Sequence, residues 1–310
     1  MTRVALVGRG ATLSSLAAQL PRVDPSLEVV TLAPGEAPDD AEIALCWYPP
    51  PGSFARLPRL RLVHSIAAGC DHLLADPSLP AQVPVCRMVD PDQRLGMTEF
   101  VLWAVLHYHR RLDQVFADRA RHHWHWPAQR EASGCKVGVM GLGALGAHAA
   151  QALSVQGFSV RGWARSAKHL DGVACFAGEE AFNAFLDGLD ILVCLLPLTE
   201  ATRGILGRST FARLARDAAV INLGRGEHLV RDDLRAALDQ GQLRGALLDV
   251  FEREPLPEDD PLWQDHRVIV TPHMASASSL DTIAAQVVAN IHRLERGEAL
   301  LNRIDPSRGY

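Results

Sequence analysis

The sequence predicts an α/β protein of two domains, each built on a doubly wound parallel β-sheet. Its 310 residues are enough for about two domains of ordinary size, and a hydrophobic fraction of 48% suits sizeable cores. Short apolar runs alternate with helical segments along the chain, as in parallel sheets with crossover helices. Midway, residues 136–146 (KVGVMGLGALG) place a strand, a glycine turn and a helix in succession.

The first 96 residues contain five strand candidates. These are residues 4–7, 27–32, 43–47, 62–66 and 83–86. Residues 11–20 predict a helix that ends at Pro21, because proline disrupts the hydrogen bonds of a helix. Gly8-Arg9-Gly10 is similar to the start of a dinucleotide motif, but the third glycine is missing because position 13 is Leu. We interpret it as an ordinary strand-to-helix turn.

The rest of the chain repeats the alternation around a larger sheet. A helix is predicted at 97–120, with Thr98 as a candidate cap and a broad apolar face. Six strands are predicted at 137–140, 159–163, 190–195, 218–222, 245–250 and 268–270, with helices at 144–153 and 231–240 among the connections. The last helix, 279–296, is expected to return to the first domain. The predicted domains are therefore residues 1–96 plus 281–310 and residues 97–280.

The central glycines form the pattern G-x-G-x-x-G. Gly141 allows a tight turn, Gly143 lets the backbone approach a pyrophosphate, and Gly146 lets the helix pack closely. The helix that starts at Ala144 and Leu145 would offer N–H groups to the anion. Methyltransferases use a similar loop. The preceding strand and the following helix favour a dinucleotide.

The segment after the next strand indicates which dinucleotide is expected. Dinucleotide-binding domains that prefer NAD usually carry an acidic residue about 20 residues past the glycines, and this residue binds the ribose 2′-hydroxyl. Here Arg165, Ser166 and Lys168 occupy that position, and no carboxylate occurs before Asp171. These cations could simply be solvated, but together with the hydroxyl they fit a 2′-phosphate. We therefore expect NADPH to be preferred over NADH.

Three segments that follow strands carry the candidate catalytic side chains. Arg225 lies in NLGRG, Asp249 and Glu254 lie in LDVFEREP, and His273 lies in TPHMA. In open α/β sheets, ligands bind at the edge formed by the carboxyl ends of the parallel strands, which we call the ligand edge. These three segments should therefore converge there. Arg225 is suited to bind the carboxylate and carbonyl of a 2-oxo acid, and His273 to donate a proton, with Glu254 favouring the protonated imidazole. Asp249 is a candidate for holding the nicotinamide carboxamide.

Composition narrows the range of partners. The net charge of −5, without a basic stripe, does not favour a nucleic acid. The most apolar run, 191–198, is too short to span a bilayer. Six cysteines without a C-x-x-C pair suggest reduced thiols, so we expect the protein to be in the cytoplasm.

The segment 121–127 (RHHWHWP) contains three histidines but no adjacent Cys, Asp or Glu, so we expect an exposed arm and no metal.

The chain resembles the D-isomer-specific 2-hydroxyacid dehydrogenases nearly from end to end. The resemblance is carried by the motifs ALCWYPP, IAAGCDH, LHYHRRLD, HHWHWP, GLGALG, LLPLTEATRGI, NLGRG, FEREPLP, TPHMA, EDDPLW and the terminal RGY. It is strongest to a bacterial branch that reduces glyoxylate and hydroxypyruvate. The missing acidic residue after the second strand fits an NADPH-preferring member. The segment VALVGRGA is not distinctive of that branch.

The resemblance implies two Rossmann/flavodoxin-like domains with the active site in the cleft between them. It implies that the catalytic residues are Arg225, Glu254 and His273, and that the cofactor is contacted by Leu196, Pro197, Gly224 and Asp249. It also implies that Ala68 and Gly69 offer backbone N–H groups to the substrate carboxylate. The loop at Trp47 and Tyr48 would border the substrate. It further implies a homodimer formed through the cofactor domain and its long helix. Either Trp124 or Trp126 would extend toward the partner's pocket.

The expected function is NADPH-dependent reduction of glyoxylate or hydroxypyruvate to the 2-hydroxy acid. One alternative is a broader reductase of larger 2-oxo acids, since the sequence describes the pocket only vaguely. A second is a dinucleotide-sensing scaffold without useful turnover, which the presence of Arg225, Glu254 and His273 disfavours. A methyltransferase would leave these three residues unexplained.

Overall fold

The computed structural model describes residues 1–32 and 39–305. The terminal RGY motif lies outside the described residues. The chain divides into two compact units. The first unit comprises Met1–Pro91 and Ala277–Tyr310, and the second comprises Asp92–Ser276. The sequence placed these boundaries four to five residues later, at 96/97 and 280/281.

The elements alternate between strands and helices in both units. The strands are β1 Thr2–Gly8, β2 Leu27–Leu32, β3 Ile43–Trp47, β4 Leu62–Ser65, β5 Val85–Cys86, β6 Lys136–Met140, β7 Ser159–Ala164, β8 Val173–Ala177, β9 Ile191–Cys194, β10 Ala218–Asn222, β11 Leu243–Leu248 and β12 Val268–Val270. The α-helices are α1 Ala11–Val23, α2 Asp71–Leu74, α3 Pro91–His109, α4 Leu112–Ala120, α5 Ala144–Val155, α6 Phe182–Leu186, α7 Arg208–Phe211, α8 Arg231–Asp239 and α9 Leu280–Glu295. None of these helices is both long and apolar enough to span a bilayer.

The first unit is a parallel sheet in the order β2-β1-β3-β4-β5, the order of flavodoxin-like folds. Residues 4–7 of β1 and 43–46 of β3 are buried apolar runs, as expected of central strands covered on both faces. Helices α1 and α9 pack on one face, where Leu16 and Val287 join the core beneath Leu6. Phe54 and Leu73 belong to the core of the other face. The last helix of the chain therefore belongs to this unit, and Ser279 caps it by accepting from the N–H of Thr282 at 3.1 Å.

The second unit is a parallel sheet in the order β12-β11-β10-β9-β6-β7-β8. The strand order reverses between β6 and β9, which makes the carboxyl end of β6 a topological switch point. The sheet has seven strands rather than the predicted six, because β8 was missed. β8 is an edge strand with no fully buried residue, so its sequence lacks the strong apolar signal of the central strands.

Two helix predictions were wrong. Helix α1 passes through Pro21 and ends at Val23; a proline in the last turns removes few hydrogen bonds. The predicted helix 97–120 is divided into α3 and α4 at Arg111, whose φ is +57°. Thr98 does not cap a helix but lies within α3, where its hydroxyl donates to the carbonyl oxygen of Arg94 at 2.9 Å.

Candidate active site

The glycine turn lies at the carboxyl end of β6. Gly141 has a φ of +99°, and a Cβ there would lie 2.6 Å from the carbonyl oxygen of Leu195. A Cβ on Gly146 would lie 1.8 Å from the carbonyl oxygen of Gly141. Because the clashing atoms belong to the backbone, both positions require glycine. The turn and the helix are thereby held in close contact, as a pyrophosphate-binding loop requires.

The first turn of α5 follows this loop and carries N–H groups that have no acceptor within the helix. The N–H of Ala147 donates to the carbonyl oxygen of Gly143 at 2.9 Å, so the N–H groups of Ala144, Leu145 and Gly146 precede the helical pattern. Gly143 and Ala144 are exposed, and the first turn contains no acidic residue. A negatively charged group is therefore favoured here by the N–H groups and by the helix dipole.

Arg165, Ser166 and Lys168 occupy the exposed loop directly after β7. β7 is the parallel neighbour of β6, and the N–H of Gly141 donates to the carbonyl oxygen of Trp163 at 2.8 Å. The cationic loop therefore lies beside the glycine turn at the same edge of the sheet. This is where the fold places the adenosine ribose of a dinucleotide.

On the other side of the glycine turn, the carboxyl ends of β9 and β10 lie at the same edge of the sheet. Leu196 and Pro197 follow β9, and Gly224 follows β10. A Cβ on Gly224 would lie 3.0 Å from the carbonyl oxygen of Leu196 and 2.8 Å from Nδ1 of buried His228. The carbonyl oxygen of Pro197 accepts from the Thr202 hydroxyl at 2.8 Å. These contacts keep the two strand ends close together.

Arg225 is half-buried in the turn that follows β10. Its N–H donates to Nδ1 of His228 at 3.0 Å, and its carbonyl oxygen accepts from the Asn222 side-chain amide at 2.8 Å. A Cβ on Gly226 would lie 2.0 Å from the carbonyl carbon of Phe251. The Arg225 turn is therefore fixed at its backbone and packed directly against the segment that leads to the Glu254 carboxylate.

Asp249 organises the loop that carries His273. Its carboxylate is 1% exposed and accepts from the Thr271 hydroxyl at 2.7 Å and from the N–H groups of Met274 and Ala275, both at 2.9 Å. The N–H of His273 donates to the Asp249 carbonyl oxygen at 2.8 Å. His273 has a φ of +52°, which is unfavourable for a residue other than glycine and is imposed by this network. The predicted contact of Asp249 with nicotinamide stays a prediction.

His273 and Glu254 form a close pair. Nδ1 of His273 lies 2.9 Å from Oε2 of Glu254, and Oε1 of Glu254 accepts from the N–H of Phe251 at 3.0 Å. Burial raises the pKa of Glu254, but the hydrogen bond and charge of His273, the Phe251 N–H and the charge of Arg225 outweigh it, so the pKa is lowered. Glu254 is therefore a carboxylate at neutral pH. Because a carboxylate only accepts, the Nδ1 of His273 is the donor, and any proton that leaves for a substrate comes from Nε2.

The predicted substrate residues of the first unit lie after β3 and β4. Trp47 is the last residue of β3, and Ala68 and Gly69 follow β4. Within the described residues, the N–H groups of Ala68 and Gly69 donate no hydrogen bond, and a guanidinium N–H of Arg87 donates to the Ala68 carbonyl oxygen at 3.4 Å. In a trans peptide the N–H points opposite to the carbonyl, so this contact orients the N–H of Gly69. The two N–H groups are suited to a carboxylate.

Comparison with known proteins identifies the chain's family. Residues 102–275 match the family model of the D-isomer specific 2-hydroxyacid dehydrogenase, NAD binding domain. A glyoxylate/hydroxypyruvate reductase A of Serratia proteamaculans is 42% identical over 293 residues, which cover 92% of this chain and 93% of that protein. The chain belongs to the D-isomer-specific 2-hydroxyacid dehydrogenases.

Solved structures of this dehydrogenase family share the fold over the whole chain. One, from Xanthobacter autotrophicus Py2, was determined with NADPH and MES; it is 42% identical, has a TM-score of 0.91, and the match covers 100% of this chain and 99% of that chain. A second, an NADPH-dependent glyoxylate/hydroxypyruvate reductase of Sinorhizobium meliloti, was determined with NADP and sulfate. It is 36% identical, has a TM-score of 0.91, and the match covers 100% of both chains. As a family member, this chain is an NAD(P)H-dependent oxidoreductase.

The histidine arm of this dehydrogenase contains a neighbour that the sequence analysis overlooked. The carboxylate of Asp118 lies 3.4 Å from Nδ1 of His123 and 3.1 Å from Nδ1 of His125, so a carboxylate does stand beside the histidines. It was missed because it comes from the end of the preceding helix. Within residues 1–32 and 39–305, no group of three His, Cys, Asp or Glu side chains is suited to a metal ion. Trp124 and Trp126 are 97% and 83% exposed.

Sequence reasoning also missed the residues that position the dehydrogenase's candidate catalytic groups. Asn222 supports the Arg225 turn, and Thr271 joins the Asp249 network. Each lies within three residues of a predicted catalytic residue, and both can form side-chain hydrogen bonds to nearby groups. That combination was the available signal. The Asn222 amide bonds within its own turn, whereas Asp249, the partner of Thr271, follows a strand that is distant in sequence.

Proposed function

We propose that this chain reduces small 2-oxo acids, glyoxylate and hydroxypyruvate above all, to 2-hydroxy acids with NADPH. The observation that carries the proposal is the 2.9 Å pair of His273 and Glu254, with the charge of Arg225 close enough to lower the Glu254 pKa. An acid–base histidine and a cation at the ligand edge of a dinucleotide-binding sheet are the groups that carbonyl reduction needs. Relatives that carry the name of this activity support the choice of substrate.

Each of these residues has a separate task in the proposed mechanism. Bound NADPH would supply the hydride that adds to the carbonyl carbon. The Arg225 guanidinium would bind the carboxylate and the carbonyl oxygen, where negative charge develops. Nε2 of His273 would protonate that oxygen, leaving a neutral imidazole whose Nδ1–H is still held by Glu254. Ala68 and Gly69 would contribute backbone N–H groups to the substrate carboxylate.

The cofactor preference rests on the loop after β7. Arg165, Ser166 and Lys168 lie exposed beside the glycine turn, and the two structural relatives described above were determined with NADPH and with NADP. A 2′-phosphate would accept hydrogen bonds from the guanidinium and the hydroxyl and would be balanced by both cations. We therefore propose that NADPH is used in preference to NADH.

Arg165→Asp is expected to raise the KM for NADPH about tenfold or more and to leave the KM for NADH much less changed. A charge-assisted hydrogen bond contributes about 1.5–3 kcal/mol, which corresponds to roughly a tenfold or larger change in affinity. The measurement is initial-rate kinetics with each cofactor at saturating glyoxylate. Arg235→Asp on helix α8 makes the same charge change away from the ligand edge and serves as the control. Equal effects of Arg165→Asp on both cofactors would contradict the proposal.

Glu254→Gln is expected to lower kcat for ketone reduction and to remove the loss of rate that protonation of the Glu254 carboxylate causes at acid pH. The lowered pKa of Glu254 keeps this carboxylate charged, so that it accepts the Nδ1–H of His273 and leaves Nε2 to face the substrate. Glutamine carries no charge and does not titrate. The measurement is kcat for ketone reduction across pH, with solvent isotope effects confirming that proton transfer contributes. Glu252→Gln, at an exposed neighbouring position, should leave the profile unchanged.

A substrate panel tests the function as a whole. The kcat/KM for glyoxylate, hydroxypyruvate, pyruvate and longer 2-oxo acids would be ranked with NADPH and with NADH. Glyoxylate and hydroxypyruvate with NADPH are expected to rank highest. A longer 2-oxo acid at the top would favour the broader reductase, and dinucleotide binding without turnover of any member would favour a sensing scaffold.

The proposal includes a homodimer in the cytoplasm. Trp124 and Trp126 are large apolar side chains at the surface of one chain, and such side chains are often covered by a partner. All six cysteines lie among the described residues as thiols, five of them buried, as in a reducing compartment. Light scattering of the purified chain would measure its mass in solution; a monomer would contradict the dimer.

A further inference from the structure

A cluster of one arginine and three rings, the Arg9 cluster, occupies the ligand edge of the first unit. It consists of Arg9, Trp47, Tyr48 and His72. The guanidinium carbon of Arg9 lies 5.3 Å from the centroid of the Tyr48 ring. Tyr48 stacks on His72 at 4.6 Å, and both rings meet Trp47 edge to face at 4.8 and 5.3 Å. No function assigned above uses Arg9 or His72.

The cluster is built from the ends of adjacent parallel strands. Gly8 is paired with Trp47 in the register of β1 and β3, and the N–H of Arg9 donates to the Trp47 carbonyl oxygen at 3.0 Å. A Cβ on Gly8 would lie 1.9 Å from that same oxygen, so the two strand ends approach as closely as glycine permits. Tyr48 has a φ of +46°. Unfavourable backbone of this kind is concentrated at ligand sites.

The Arg9 guanidinium is available for a ligand. Arg9 is exposed, and within residues 1–32 and 39–305 its side chain forms no hydrogen bond or ion pair. A cation–π contact uses the charge of the guanidinium rather than its N–H donors. The planar fork of donors therefore remains suited to a carboxylate or a phosphate.

The contacts of Arg9 lead toward the proposed carboxylate site. His72 lies in the first turn of α2, three residues after Gly69. Strands β1, β3 and β4 are consecutive neighbours, so the ends of β1 and β4 are separated by two strand spacings, roughly 10 Å. The Arg9 guanidinium contacts the ring of Tyr48, which follows the intervening strand β3, and Tyr48 in turn stacks on His72. A short molecule with an anion at each end matches this arrangement.

We propose that Arg9 binds a second anionic group of the substrate, so that, among 2-oxo acids longer than hydroxypyruvate, the enzyme favours those with a carboxylate or phosphate at the end opposite the reacting carbonyl. The inference rests on the proposed function, because it takes Ala68 and Gly69 as the site of the first carboxylate. Tyr48, which stacks on His72, holds the guanidinium, and the two rings would cover the carbon chain between the two anions. Arg9 is thus a specificity residue and takes no part in hydride or proton transfer.

The test compares substrates of matched shape and different charge. Oxaloacetate is paired with 4-methyl-2-oxopentanoate, in which an isopropyl group replaces the second carboxylate. 3-Phosphohydroxypyruvate is paired with hydroxypyruvate. The ratio of kcat/KM within each pair is measured for the unmodified enzyme, Arg9→Gln, Arg9→Lys and the control Arg22→Gln, which removes an exposed arginine of helix α1.

In at least one pair, the ratio of kcat/KM for the doubly anionic member to that for the singly anionic member is expected to depend on Arg9. Arg9→Gln should lower that ratio about tenfold, or about 1.4 kcal/mol, Arg9→Lys should lower it less, and Arg22→Gln should not change it. The pair that responds identifies carboxylate or phosphate as the second anion. A ratio unaffected by Arg9→Gln, or affected equally by Arg22→Gln, overturns the inference. Absence of glyoxylate reduction by the unmodified enzyme would instead contradict the proposed function.

Discussion

Replacing His273 by glutamine is expected to lower kcat for glyoxylate reduction by roughly 10²–10⁴-fold, the usual contribution of a general acid. Glutamine can keep a hydrogen bond near Glu254 but cannot deliver a proton to the forming alkoxide. NADPH affinity should change little, because the glycine turn and the cationic loop follow β6 and β7, whereas His273 follows β12. Single-turnover kinetics and fluorescence titration with NADPH measure the two quantities separately.

His266→Gln is the matched control for His273→Gln. His266 is exposed and precedes β12, whereas His273 follows it, so the control alters the same strand at its opposite end. It should retain normal kcat. Near-normal turnover of His273→Gln would show that the proton comes from another group, and a parallel loss of NADPH binding would indicate a damaged fold rather than a missing acid.

Replacing Arg225 by glutamine is expected to lower kcat/KM by about 10²–10³-fold, or about 3–4 kcal/mol, the range for removing one partner of a desolvated charged pair. The loss should appear in kcat as well as KM, because the guanidinium would bind the carbonyl oxygen more strongly as its charge develops. Arg225→Lys keeps the charge but not the planar fork, so it should restore only part of the activity.

Steady-state kinetics of the Arg225 variants would be compared with Arg216→Gln. Arg216 is exposed and precedes β10, whereas Arg225 follows it, so the control has the same chemistry at the other end of the strand. Because Arg225 also lowers the Glu254 pKa, its loss should make the Glu254 carboxylate easier to protonate and so weaken activity first at acid pH. A change in KM alone would mean that Arg225 only binds the substrate.

The sequence predicted most of the sheets because central parallel strands are continuous apolar runs. β1, β3 and β10 were located within two residues of their observed bounds. The prediction failed where the decisive contacts are distant in sequence. β8 is an edge strand whose residues are only partly buried, and the break at Arg111 lies where the Arg244 guanidinium pairs with Asp113 at 3.2 Å. Neither feature leaves a local pattern.

The sequence by itself determined the glycine turn, the family and the identity of the candidate catalytic side chains. The glycine turn could be located because a strand, three glycines and the start of a helix occur within eleven residues. Tertiary structure alone decided how those side chains are held. Asp249 fixes the loop of His273 from a neighbouring strand, and Tyr48 meets His72 through strand neighbours. These contacts depend on sheet order and register, which bring together residues that are 24 or 25 positions apart in the chain.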